Sequence, residues 1–401
     1  MNVLIIAQLF PPDMGGGATR AYNVAKGLLE AGCNVTVISA FPHYPSGNIP
    51  SQYRWKPLFI EYKERLRIIR TFVPPLSSKG YGRRILLFFS FILSSLLALP
   101  LTRKADIIWA ANPNITATIT GVFYRIFKRC PLVENVDDLW PEALYDLGIS
   151  PKSTIARIGK FLTRLAYNTS SAITPISPAY VNVIHRKYQI SRDKIHVVRA
   201  GVDLERFQLQ PTLKANQKFS VLYIGAFSPA YNFNQIFEAA KILSSDNKIE
   251  FVIQGDGELA EMLIKKSKTS TANVKVVKKI IPRDEVARIM SNASALILPL
   301  SGKGSIELGI SSKLYEYQAS GKPILCISSG QPGKYISKSK SGIVITPGDF
   351  QELVEAINSL NKNPQLAKSL GENGRKYVET HLTIQAIGHK MKELFKTLRK
   401  V

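Results

Sequence analysis

Residues 311–323, SSKLYEYQASGKP, set a lysine and a carboxylate three positions apart, Lys313 and Glu316, inside what reads as a short bounded helix. Ser311 or Ser312 can cap the first turn, Gly321 supplies a left-handed stop, and Pro323 bars continuation. A spacing of three puts both charged groups on one helix face. The flanking apolar runs, ALILPL at 295–300 and PILCIS at 323–328, read as buried parallel strands, so the order is strand, loop, helix, strand. The amides of a helix start and the glycine-containing loop 302–309 make an anion seat. A cation near phosphate and a carboxylate near hydroxyls is the chemistry this implies. An ordinary surface Lys-Glu pair has the same spacing, and the segment alone does not separate the two.

Two other stretches carry chemistry. VDDLWPE at 136–142 follows the strand-like PLVEN at 131–135, at a strand's carboxyl end, where open α/β sheets bind ligands. Asp138 is the candidate there for orienting or deprotonating a hydroxyl, and a helix cap ahead of Pro141 is the competing role. Near the start, FPPDMGGG at 10–17 joins the strand VLIIA at 3–7 to a helix with Ala21, Val24, Ala25 and Leu28 at helical spacing. NVTVIS at 34–39 then completes a βαβ unit. Its glycines let backbone approach a ligand, or simply make a tight turn. The G-x-G-x-x-G spacing is missing, which disfavours a dehydrogenase.

Further alternation fills both halves. Strand runs at 106–111, 172–176 and 195–199 complete the first. FSVLYI at 219–224, turning at Gly225, opens a second βαβ series with strands at 250–258, 274–277, 295–300 and 343–346, and helices at 351–360, 365–380 and 384–400. Residues 42–57 read as a long loop. A polar segment at 208–218 reads as a linker. The expected division is therefore 1–207, linker 208–218, 219–380, and a C-terminal helix at 381–401. A chain of 401 residues is long for one core, which agrees with two domains.

The net charge is +24, and residues 51–104 hold eleven Lys or Arg against Glu61 and Glu64. Such a surface suits anionic lipid or nucleic acid, but no zinc-finger, RNP-like or helix-turn-helix pattern is present. Inside it, ILLFFSFILSSLLALPL at 85–101 lies between Arg83-Arg84 and Arg103-Lys104. At the lower limit for a span, broken by serines and Pro100, it reads as a helix packed on the domain with its outer face dipping into a membrane surface. A plain core helix is the other reading. Arg83 and Arg84 are the expected membrane contacts. Cys33, Cys130 and Cys326 are odd in number and scattered, as reduced core thiols are. The opening residues carry no secretory pattern, so residence in the cytoplasm, peripheral on the inner face of the cell membrane, is expected. No D-x-D motif or His/Cys ligand spacing appears, so no metal or cofactor is expected.

The S-K-L-Y-E-Y-Q-A-S-G-K-P segment, the D-L-W-P-E segment at 138–142 and the A-G-V-D-L-E-R-F crossing at 200–207 are similar to those of family-4 retaining glycosyltransferases of the GT-B fold, in the branch that builds surface glycans. The resemblance spans nearly the whole chain. It implies an α/β fold of two Rossmann-like domains facing across a cleft, with the C-terminal helix crossing back to the first. It also implies a nucleoside-diphosphate sugar donor, UDP-sugar favoured, bound mainly by the second domain, with a glycan acceptor on the first. The implied donor contacts are Glu316 on the ribose, Lys313 with the amides of Ser311 and Ser312 on the diphosphate, Gly16 and Gly17 from the first loop, Gly225 and Asn232 from the loop after 219–224, and the backbone near Ile280 on the base.

The sequence departs from the family pattern in four places. Leu308 stands where many members have a second Glu, with Glu307 beside it. Ala230 to Asn234 replace a loop lysine, Asp137 and Asp138 stand near a usual His, and Ala200 replaces an Asn. The apolar segment points to a lipid-linked, polyprenyl-diphosphate acceptor. A nucleotide-sugar epimerase or hydrolase, or a non-enzymatic basic membrane-binding module, are the alternatives. A pyridoxal-phosphate phosphorylase has no matching segment.

Overall fold

The computed structural model describes residues 1–76, 81–112, 115–146, 148–208, 218–270 and 273–399. Most of the expected linker 208–218 lies outside them. The chain forms two compact units, one of Met1–Gly201 with Ile384–Val401 and one of Val202–Thr383.

Unit 1 runs β1 (Asn2–Ile6), α1 (Gly16–Glu30), β2 (Asn34–Ala40), β3 (Leu58–Lys63), β4 (Leu66–Thr71), α2 (Tyr81–Leu97), β5 (Ile107–Asn112), α3 (Thr116–Lys128), β6 (Leu132–Val136), α4 (Glu142–Asp146), α5 (Thr154–Thr169), β7 (Ala172–Pro175) and α6 (Pro178–Tyr188). Its sheet has the order β3-β4-β2-β1-β5-β6-β7, parallel except for the edge strand β3. The antiparallel β3–β4 hairpin is unread in the sequence, because the edge strand β3 mixes exposed and half-buried residues and the buried β4 is broken by Arg67 and Arg70, so neither shows the apolar run that marks a buried parallel strand. The expected strand at 195–199 does not form. The segment still runs along β7, through the bridge between Ile173 and Ile195 and through His196 N and Val198 N, which donate to the Ile173 and Pro175 carbonyls at 2.8 and 3.0 Å.

From β1 the chain crosses one way to β2, and from β5 the other way to β6. Right-handed crossovers in opposite directions put helices on opposite faces. Leu4, Ile6, Ile38, Ile108 and Leu132 accordingly share a core cluster with Leu87 and Phe91 of α2 and Ala117 and Tyr124 of α3. The apolar segment expected at 85–101 is thus α2 followed by a 3-10 turn at Leu99–Leu101, one face buried and one not. No helix among the described residues is long and apolar enough to cross a membrane.

Unit 2 runs β8 (Phe219–Ala226), α7 (Asn234–Ile242), β9 (Ile249–Asp256), α8 (Ala260–Thr269), β10 (Val274–Lys278), α9 (Arg283–Ser291), β11 (Ala295–Pro299), α10 (Ser312–Ala319), β12 (Ile324–Ile327), α11 (Gln331–Ser339), β13 (Gly342–Ile345), α12 (Phe350–Lys362) and α13 (Pro364–His381). All its strands are parallel, in the order β10-β9-β8-β11-β12-β13. The order reverses between β8 and β11, so the loops leaving these two strands diverge. Open α/β sheets bind ligands in the crevice at such a point. The near-continuous apolar strands are buried on both faces.

After unit 2, α14 (Ile384–Arg399) belongs to unit 1 and packs on α1. The two helices meet backbone to backbone. A Cβ on Gly27 would lie 2.2 Å from the Ile384 carbonyl oxygen, and one on Gly388 would lie 2.1 Å from that of Gly27.

Candidate functional site

At the switch point of unit 2, Gly225 ends β8 with φ +148°, and a Cβ there would lie 2.2 Å from Lys313 Cε. The bare backbone is what lets the Lys313 side chain cross the strand end. Lys313 Nζ then donates to Tyr231 Oη at 3.0 Å and sits 5.1 Å from the centre of that ring. Tyr231 belongs to the loop after β8, which is stitched to the end of β11. It bridges Leu300, and Asn232 N donates to the Pro299 carbonyl at 2.7 Å. Tyr317 Oη, buried below, lies 3.4 Å from the Ile224 carbonyl, to which it donates. Of the two candidate caps, Ser311 is the one used, its Oγ accepting from Lys313 N at 3.4 Å, while Ser312 opens α10.

Glu316, one turn on, is half-buried. Burial pushes its carboxyl above the ordinary range, against the opposing pull of Arg283, Arg206 and Lys313. Three cations thus act on one carboxylate. Arg206, on the 3-10 turn Leu204–Arg206, donates to the Arg283 carbonyl. Arg375 of α13 fixes this region by donating to the Phe207 carbonyl at 2.5 Å and to that of Ala319, at the end of α10, at 2.7 Å.

Neither arginine is among the sequence candidates. Signals existed for both: Arg206 lies within the 200–207 crossing, and Arg283 opens α9, where the helix dipole disfavours a cation unless a neighbour compensates.

The remaining unit 2 candidates divide. Asn232 spends its side-chain oxygen on Asn234 N at 3.2 Å, at the start of α7. Ile280 is exposed, just past β10. Leu308 occupies the position eight before Glu316. The adjacent Glu307 turns inward, its Oε2 accepting from Ser328 Oγ at 2.5 Å, with its carbonyl packed where a Cβ on Gly330 would lie. Glu307 Oε1 is buried with no hydrogen-bond partner among the described residues.

In unit 1, Arg20 Nε stands 2.9 Å from Asp137 Oδ1, and its Nη2 donates to Asn135 Oδ1 and to the Val198 carbonyl. Arg20 is not among the sequence candidates, although an arginine one turn before Val24 on the apolar stripe of α1 marks a buried ion pair. Solvent reaches the Asp138 side chain. Even so, the protein packed around it, and secondarily the Asp137 charge, push its carboxyl up to about 7. In the glycine loop the left-handed residue is Gly15, φ +100°, so Gly16 and Gly17 begin α1 and offer helix-start amides. Asp13 accepts from His43 N and Tyr44 N at 2.8 Å each and holds that loop in place. Arg83 is exposed on α2, and the Arg84 side chain lies outside the described residues. Among the described residues no three His, Cys, Asp or Glu are grouped as metal ligands.

Two family models match the chain in succession. "Glycosyltransferase Family 4" covers residues 14–206 and "Glycosyl transferases group 1" covers residues 205–377. The chain belongs to the family-4 glycosyltransferases of the GT-B fold. Among curated relatives, the O-antigen chain mannosyltransferase C of Escherichia coli is 28% identical over 235 residues, 56% of this chain and 60% of that protein. An uncharacterised glycosyltransferase of Methanocaldococcus jannaschii is 28% identical over 159 residues, 39% of this chain and 42% of that one. The chain thus spans about half the length of the curated relatives it matches. Among solved structures, sucrose-phosphate synthase from Thermosynechococcus elongatus superposes with a TM-score of 0.77 at 17% identity, covering 99% of this chain and 98% of that one. HepE of Anabaena, solved with UDP and glucose, gives 0.70 at 16% identity, covering 99% of each. At such identities these likenesses show the fold.

Two outcomes are expected of this chain. Gly225→Ala places a methyl group into the path of Lys313 and strains φ, so it should cost about 1–3 kcal/mol in denaturant unfolding and break the Lys313–Tyr231 contact. Unchanged stability would show that Lys313 moves aside freely. For Asp138, a carboxyl raised to about 7 when folded, against 3.8 ordinarily, binds its proton more tightly in the folded chain. Wild-type stability therefore falls as pH rises between those values, and Asp138→Asn escapes that fall. Chemical unfolding at several pH values should show the variant gaining on wild type toward pH 7, and parallel profiles would contradict the environment assigned to Asp138.

Proposed function

We propose that the chain is a retaining glycosyltransferase that moves a sugar, of hexosyl or N-acetylhexosaminyl type, from a UDP-sugar to a hydroxyl of a lipid-linked glycan. The observation that carries this reading is Glu316 at the switch point of unit 2, faced by Lys313, Arg206 and Arg283 beside the capped start of α10. An ionised Glu316 accepts hydrogen bonds from ribose hydroxyls. The cations and the Ser311–Lys313 amides meet the diphosphate, whose charge grows as the bond from anomeric carbon to phosphate oxygen breaks. That charge can be neutralised without a metal.

In unit 1, Asp138 orients the acceptor hydroxyl and receives its proton as the new glycosidic bond forms, which a carboxyl titrating near neutrality suits. Retention follows from attack on the face the diphosphate leaves, with no carboxylate nucleophile. Glycan-building relatives and a neighbour solved with UDP and glucose support the donor class. The exposed apolar side of α2, next to Arg83, supports an acceptor carried on a polyprenyl diphosphate at the cytoplasmic membrane surface.

Thermal unfolding with a panel of nucleoside-diphosphate sugars, with and without chelator, tests the donor site. Ligand at one hundred times its dissociation constant adds about 2.7 kcal/mol of apparent stability. The expected result is a shift with uridine nucleotides that is lost in Glu316→Gln and indifferent to chelator, with donor turnover only when an acceptor is added. No shift with any nucleotide would remove the donor assignment, and turnover without acceptor would make the protein a hydrolase or epimerase.

A further inference from the structure

The apolar side of α2 does not stand alone. Phe89 and Leu93 of α2 are 59% and 51% exposed. Ile126 and Phe127 of α3 are 63% and 65% exposed, and Ile158 and Phe161 of α5 are 54% and 67% exposed. The three helices lie side by side, α2 against α3 and α3 against α5. They are locked as one layer by polar contacts. Tyr124 Oη donates to the Ser95 carbonyl at 2.8 Å, Lys128 Nζ to that of Thr102 at 2.9 Å, and Arg125 Nη1 to that of Thr169 at 2.5 Å. Outward-facing aromatic and branched residues are thus carried on three neighbouring helices of one layer. A protein that stays alone in water rarely exposes a large apolar patch.

Its charge says what covers it. Residues 81–104, 115–130 and 152–169, which carry the three helices, hold eleven Lys or Arg and no Asp or Glu. On α5, Arg157, Lys160 and Arg164 are exposed along the flank of the strip that carries Ile158 and Phe161. A second copy docked on this face would set like charges against like. A neutral protein partner would leave them unmatched. An anionic lipid headgroup layer matches the cations, and the acyl region below it accepts the apolar side chains.

We infer that α2, α3 and α5 together form a rigid wedge that seats unit 1 in the headgroup region of an anionic membrane, with α5 inserting as fully as α2. This rests on the membrane reading above and extends it from one helix to a three-helix plane.

Vesicle sedimentation of the full chain tests it, using large vesicles of equal phosphatidylglycerol and phosphatidylcholine against phosphatidylcholine alone. The chain should bind the first and not the second. The double variants Phe89→Asp/Leu93→Asp and Ile158→Asp/Phe161→Asp should each abolish binding. The triple variant Arg157→Gln/Lys160→Gln/Arg164→Gln alters only exposed side chains and so keeps the fold. It should weaken partition on the order of 100-fold, at about fivefold per cation, and flatten its salt dependence. If the α5 variants bind like wild type while the α2 variant does not, the three-helix wedge is overturned and the single-helix reading survives. If wild type binds neither vesicle, both fall. Wild type that fails to bind vesicles but scatters light as a dimer, and becomes a monomer in the α5 variants, would make a second copy the occupant.

Discussion

A carboxylate held among three cations sets the terms for unit 2. Burial drives Glu316 toward its neutral form, and Arg283, Arg206 and Lys313 oppose it. The surrounding geometry serves this balance: Gly225 is bare so that Lys313 can cross, Tyr231 receives its ammonium, Ser311 starts the helix, and Arg375 pins both the Phe207 carbonyl and the end of α10. Sites organised for charged ligands commonly gather like charges at the expense of stability.

Unit 1 applies the same physics to a different pair. Asp137 has Arg20 opposing its burial, whereas Asp138 feels the Asp137 charge beside it. Both carboxyls are raised, and burial is the larger cause for each. On the far side of the sheet from α1, outward apolar residues and an acid-free basic lining face solvent together. A core that ended at the sheet would have no use for them.

Much of this was legible in the sequence, and the reasons differ by element. Buried parallel strands such as β1, β8 and β11 announce themselves as apolar runs, and the short α10 is bracketed by Ser311, Gly321 and Pro323. The β3–β4 hairpin was not legible, because an edge strand such as LFIEYK mixes its faces. Residues 195–199 have strand composition and hydrogen-bond to β7 through His196 and Val198, but they make only one bridge and no regular strand, since the ladder depends on the sheet edge as well as on the segment. Lys313 and Glu316 could be found because they share one helix. Arg206 and Arg283 lie 110 and 33 positions from Glu316, and only the fold brings them to it. Glu307, next to Leu308, is turned inward to Ser328, an orientation that its position in the sequence does not disclose.

The central claim is that an ionised Glu316 holds the nucleotide's ribose, and calorimetric titration of UDP across pH, in wild type and in Glu316→Gln, tests it most directly. Because the carboxyl is raised when the site is empty, wild-type affinity should fall as pH drops through its titration, beyond any change the diphosphate's own protonation causes. The glutamine variant should bind weakly and show only the diphosphate's dependence, so the ratio of the two affinities should rise with pH. A ratio that stays constant, or equal affinities at neutral pH, would contradict the account.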